Sequence, residues 1–143
     1  MSQLLITEYL NDLATLKRVS GAQRESVVRE AFKDLLKKWG RSQSLVFIPE
    51  HEIITTAKVR NYVDGALMHD LRVPFGYWEA KDADDDLDEE IAKKFRRGYP
   101  NTNIIFEDST QAVLIQNGAE VMRCKTDDGL SLIHISEPTR QAE

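Results

Sequence analysis

The chain has 143 residues, 41% of them hydrophobic and 30% charged, with a formal net charge of −5 at pH 7. That length suits one domain with a core of useful size, and the acidic balance argues against a freestanding module that grips DNA tightly. No apolar run approaches the ~18 residues of a membrane span, the start lacks the basic leader of a signal peptide, and Cys124 alone can form neither an internal disulfide nor a cysteine-rich zinc site, so a cytoplasmic setting is expected.

The apolar spacing predicts a first helix over Leu4 to Leu16. Ser20 and Gln23 have the spacing of a capping box, and a second helix follows to Trp39, with Gly40 as its stop. Val27, Val28, Ala31, Phe32, Leu35, Leu36 and Trp39 form one broad stripe on it. Glu25 falls about 70° from the middle of that stripe, at its border, and an acid there needs a partner or a job. The pattern then becomes strand-like: Leu45 to Ile48, interrupted by Pro49 and continued over His51 to Thr56 as one strand, then Tyr62 to Leu67, then Gly76 to Lys81. The last two form an antiparallel pair. A third helix carries Leu87, Ile91 and Phe95, with Asp88 as N-cap and Gly98 and Pro100 ending it. Strands follow at Asn103 to Phe106 and Ala112 to Ile115. Asn117-Gly118 then signals a tight hairpin into Ala119 to Cys124. The order α-α-β-β-β-α-β-β-β reads as an α/β fold, a mixed β-sheet flanked by helices.

Charge is unevenly spread. Lys17, Arg18, Arg24, Arg29, Lys33, Lys37, Lys38 and Arg41 make one stretch basic, and between Asp82 and Glu90 only Ala83 and Leu87 are uncharged. Such runs are most often solvated faces. His51 and His69 are isolated, with no spacing that suggests metal ligation.

The chemistry concentrates between Tyr62 and Lys81. Side chains on a strand alternate faces, so Glu79 and Lys81 share one face, and Asp64 on the neighbouring strand can meet them. Two carboxylates and an amine together suit metal-assisted phosphodiester hydrolysis. Magnesium takes oxygen ligands, here Asp64, Glu79 and the backbone carbonyl of Ala80, and Lys81 can orient or deprotonate the attacking water.

This order and spacing, Asp64 followed by Glu79-Ala80-Lys81, resembles the PD-(D/E)XK nuclease superfamily. Val63 stands where the family name has proline, and no downstream Gln-x-x-x-Tyr is present. The resemblance implies a restriction-endonuclease-like core, Mg2+ as cofactor and double-stranded DNA as partner. It also makes Glu25, on the helix before the strands, a candidate supporting carboxylate. More narrowly, Ser20-Gly-Ala-Gln-Arg-Glu-Ser-Val-Val-Arg-Glu-Ala-Phe, Tyr62-Val-Asp-Gly-Ala-Leu, Val73-Pro-Phe-Gly-Tyr-Trp-Glu-Ala-Lys-Asp and Asn103-Ile-Ile-Phe-Glu-Asp-Ser-Thr look like the N-terminal nuclease domain of Type ISP restriction-modification enzymes and related N6-adenine DNA methyltransferases. That resemblance implies further methyltransferase, target-recognition and in some members translocase domains in the same polypeptide. A catalytically inactive nuclease-fold module for DNA backbone contact or domain docking is the alternative.

Leu130-Ser-Leu-Ile-His-Ile-Ser-Glu-Pro-Thr-Arg140 resembles the in-frame translation of a transposase adapter used to prepare sequencing libraries. The expectation is therefore a nuclease-like domain over residues 1–129, the N-terminal fragment of a larger protein, followed by a non-native tail over 130–143.

Overall fold

Val28, Ala31, Phe32, Leu35 and Leu36 recur at helical spacing, and all are buried. They set the layering of the computed structural model, which describes residues 3–20, 24–82 and 84–125. The elements are α1 (Gln3–Ser20), α2 (Arg24–Ser42), β1 (Val46–Ile54), β2 (Arg60–Met68), β3 (Pro74–Ala80), α3 (Leu87–Arg96), β4 (Ile104–Glu107), β5 (Gln111–Gln116) and β6 (Ala119–Lys125). This is the restriction-endonuclease-like order expected from the sequence. The expected boundary at residue 129 and the adapter-like tail lie outside the described residues. No described helix is long and apolar enough to cross a membrane.

The six strands lie in chain order across one sheet. All neighbours pair antiparallel except β3 and β4, which run parallel because α3 carries the chain back across the sheet between them. One face is covered by α1 and α2, where Tyr9, Phe32 and Leu35 meet Trp78, Ala112, Leu114 and Cys124. On the other face, Leu87 and Ile91 of α3 pack on Ile104, Phe106, Val113 and Ile115. Alternation along β3 thus sends Trp78 and Ala80 towards α2, and Tyr77 and Glu79 towards α3.

Three local expectations are corrected. Gly40 does not stop α2: a Cβ there would come within 2.7 Å of Leu67 Cδ2, so the glycine lets the helix press onto the sheet. The helix ends two residues later, where Ser44 turns with φ 61° and Gln43 and Leu45 donate back to the Gly40 carbonyl. The N-cap of α3 is Asp86 rather than Asp88, and its carboxylate accepts the Glu89 N–H at 3.2 Å. The two strand pieces form one strand, β1, as expected, but the interruption falls at Glu50, φ 48°, rather than at Pro49, which still pairs with Gly65. The hairpin signal is met as expected, with Asn117 and Gly118 both at positive φ, 53° and 78°.

Candidate active site

The position of Asp64 follows from two gaps in strand pairing. The β1–β2 register passes from Pro49↔Gly65 to His51↔Val63 and steps over Glu50 and Asp64. The β2–β3 register begins only at Gly65↔Trp78. Asp64 thus lies outside both ladders, where β2 and β3 part, and its backbone N–H needs another acceptor. Glu79 Oε1 supplies it at 3.1 Å, and Asp64 Oδ2 in return accepts the Ala80 N–H at 2.7 Å. Each carboxylate replaces a carbonyl of the missing rungs, so both are fixed by the backbone of the opposite strand. Among the described residues, Oδ1 of Asp64 has no hydrogen-bond donor.

Glu79 stands beside the apolar Phe106 and Val113 across the sheet. It is 4% exposed. Burial and the nearby Asp64 charge both push its carboxyl above the usual range. The opposing influence is Lys94 of α3, whose Nζ lies 3.1 Å from Glu79 Oε2. Lys94 is itself buried, donates to the Tyr99 hydroxyl at 3.4 Å and sits 4.6 Å from the centre of the Tyr99 ring. Burial pulls Lys94 down, but Glu79 and Tyr99 outweigh it, and the ammonium is held above its ordinary range. Lys81, one pleat beyond Glu79, reaches Glu90 Oε1 on the same helix at 3.6 Å. Glu90 also meets Lys93 at 3.4 Å. Its modest burial works the other way, yet the two lysines hold it below its ordinary range.

On the α2 side, the register places Glu107 beside Ala80, and Lys81 donates its N–H to the Glu107 carbonyl at 2.7 Å. The Glu107 side chain is 1% exposed and accepts the Ser109 N–H. Burial raises its pKa to about 7; the Arg29 charge and the Ser109 bond oppose this, and Asp108 and Asp64 add to it. Arg29 comes from α2 and pairs with Asp82 at 3.3 Å.

Asp64, Glu79 and Ala80 are therefore brought together as expected. Lys81 shares the Glu79 face, as the alternation requires, but its described ion pair is with Glu90. Glu25 lies on α2, four residues before Arg29, but its side chain is outside the described residues. Lys94, Tyr99, Glu90 and Glu107 were given no part in the site by the sequence reading. Glu90 and Lys94 are an i, i+4 pair following a strand that carries Glu-x-Lys, and Glu107 is an acid that extends the apolar run Ile104 to Phe106, but neither pattern selects its residue without the tertiary packing. No three described His, Cys, Asp or Glu side chains form a metal-binding group. What the site offers is hard oxygen: two fixed carboxylates and the peptide between Glu79 and Lys81, a donor type that fits magnesium and not a soft metal.

No protein-family model matches the chain, and no curated protein matches it. Among solved structures it resembles a chain in the cryoEM structure of a DrdV–DNA complex, with a TM-score of 0.85 and 42% sequence identity over 92% of its own length. It spans 13% of that DrdV chain. The α/β architecture around Asp64 and Glu79 is thus shared, at substantial identity, with one segment of a much longer protein.

Proposed function

We propose that this chain is the magnesium-dependent DNA-cleaving domain of a larger restriction-modification polypeptide. The observation that carries this reading is the interlock of Asp64 and Glu79 at the parting of β2 and β3, two carboxylates fixed by backbone N–H groups of the opposite strand, with no described donor on Asp64 Oδ1. The resemblance to a protein seen in complex with DNA supports double-stranded DNA as substrate. The small share of the DrdV chain that is covered supports further domains, of the methyltransferase and target-recognition kind, elsewhere in the polypeptide.

In this reading Asp64, Glu79 and the Ala80 carbonyl hold Mg2+, and Glu25 supports them from α2. When bound, the ion supplies Lewis-acid charge at the phosphate and acidifies a coordinated water. The chain's own residues do the rest. The Ala80 N–H fixes the Asp64 carboxylate, and the Asp64 N–H fixes that of Glu79, so neither must reorganise on binding. Lys81, released from Glu90, moves a proton from the attacking water or faces the charge that develops on the phosphate.

In the full-length protein, Asp64→Ala and Lys81→Ala should each lower the cleavage rate of plasmid DNA by at least about 100-fold, the lower end of what a positioned acid or base contributes, and leave adenine methylation unchanged. Cleavage that persists in both variants would refute the assignment. One observation favours an inactive scaffold: α3 engages both Glu79 and Lys81. That alternative requires wild-type protein without cleavage but with DNA-backbone binding.

A further inference from the structure

Glu79-Ala80-Lys81, at the end of β3 and just beyond it, faces Glu90 and Lys94 on α3 with the charges exchanged. Two residues along a strand advance about 6.7 Å, and four along a helix advance about 6.0 Å. The two pairs can therefore close together, Glu79 on Lys94 at 3.1 Å and Lys81 on Glu90 at 3.6 Å. We propose that α3 is a charge-reversed latch on this site: Lys94 occupies the Glu79 oxygen that a divalent cation needs, Glu90 occupies Lys81, and a metal ion must displace Lys94 to bind. The inference rests on the metal-site reading above and concerns its regulation.

Three features make Lys94 a competitor rather than a support. First, Glu79 does not depend on Lys94 for its orientation, because Oε1 is anchored to the Asp64 N–H. Second, Lys94 takes Oε2, the remaining oxygen, and so removes half of the ligating capacity of that carboxylate. Third, the ammonium has alternative partners on its own side, the Tyr99 hydroxyl and ring, so it can let go of Glu79 without losing all compensation. Tyr99 is in turn tied to the β2 backbone, its hydroxyl donating to the Tyr62 carbonyl at 3.5 Å. In the resting state the buried carboxylate is balanced by a cation the protein carries, which avoids an uncompensated buried charge. Loading the site is then an exchange of cations.

The test is calorimetric titration of the DNA-free chain with Mn2+ alone. Lys94→Met should tighten Mn2+ binding by at least about tenfold, because the ion no longer competes with a unit charge within hydrogen-bonding distance of its ligand. Lys94→Gln keeps a donor for Glu79 and Tyr99 without the charge, so it covers the case in which the methionine variant does not fold, and it should shift affinity in the same direction. Asp64→Asn should abolish binding in all backgrounds. Asp64-dependent binding that is equal or weaker in both Lys94 variants would overturn the latch and leave the metal site standing. Binding that ignores Asp64→Asn, or no binding in any variant, would overturn the metal site and the latch with it.

Discussion

Glu79 and Glu107 lie on neighbouring parallel strands, point to opposite faces of the sheet, and are almost equally hidden from water. Their charges are handled differently. Glu79 has a cation at 3.1 Å, supplied by a buried lysine that an aromatic ring helps to hold. Glu107 has a backbone N–H from its own turn and feels Arg29 only through space, since the described ion pair of Arg29 is with the exposed Asp82. A fully buried carboxylate without a contacting cation keeps its proton more readily, which is why Glu107 titrates near neutrality. Asp64, on β2 beyond Glu79, adds a charge that acts on both. The difference separates a buried carboxylate held against a contacting cation from one held only by a backbone N–H.

The sharpest way to break this comparison is to remove the cation from the α3 face. Lys94→Met should cost about 3–5 kcal/mol of stability at neutral pH, the usual penalty for leaving a buried charge without its partner. Urea denaturation of the DNA-free chain measures it. Adding Glu79→Gln to Lys94→Met should restore most of the loss, because the charge that needed compensation is gone. A loss below about 1 kcal/mol in the single variant would mean that Glu79 is already protonated in the fold, and the two faces would then be alike.

The next effect belongs to Glu107 and depends on pH. Its pKa rises from the usual 4.5 when exposed to about 7 in the folded chain. A raised carboxyl favours folding while it is protonated, so its contribution is complete below pH 4.5, declines between 4.5 and 7, and is lost above. The span of that loss is about 3 kcal/mol. Glu107→Gln carries no such proton and can still accept the Ser109 N–H. Its stability should match that of the wild type at pH 4 and exceed it by about 3 kcal/mol at pH 8, read as the difference between denaturation midpoints across the pH series. Parallel curves for the two proteins would show that Glu107 is not buried as an acid.

These two carboxylates also show what could be read from the sequence. The fold was legible because its signals are local: the stripe from Val28 to Leu36, the alternation along β3, and the Asn117-Gly118 turn each specify their own geometry. Asp64 and Glu79 were legible because alternation and chain order bring two adjacent strands together. Lys94 was not, since on a helix alone it is one of three cations in a basic last turn, and only the crossing of α3 over β3 selects it. Glu107 was hidden for another reason: it is buried on the face covered by α1 and α2, far away in sequence, and no local pattern distinguishes it from the acid that ends an exposed strand. Gly40 misled because a glycine after an amphipathic stripe commonly marks a helix end. Here tertiary contact with Leu67 explains it instead.

The smallest effect is also the one that tests how far Arg29 acts on Glu107. The Arg29–Asp82 pair is exposed, 39% and 63% on the two side chains, and exposed pairs contribute little. Arg29→Met should therefore change stability by less than about 1 kcal/mol at pH 4, where Glu107 is protonated and its charge is absent. At higher pH the variant should diverge from the wild type in a specific direction. The Arg29 charge pulls the Glu107 pKa down against burial, so removing it lets Glu107 hold its proton to higher pH. The decline in stability that ends near pH 7 in the wild type should extend to more alkaline pH in the variant. In the Arg29→Met, Glu107→Gln double variant the decline should be absent. A variant curve displaced equally at every pH would instead assign Arg29 a packing role on α2. The α2-face carboxylate would then be governed by burial and its own turn alone.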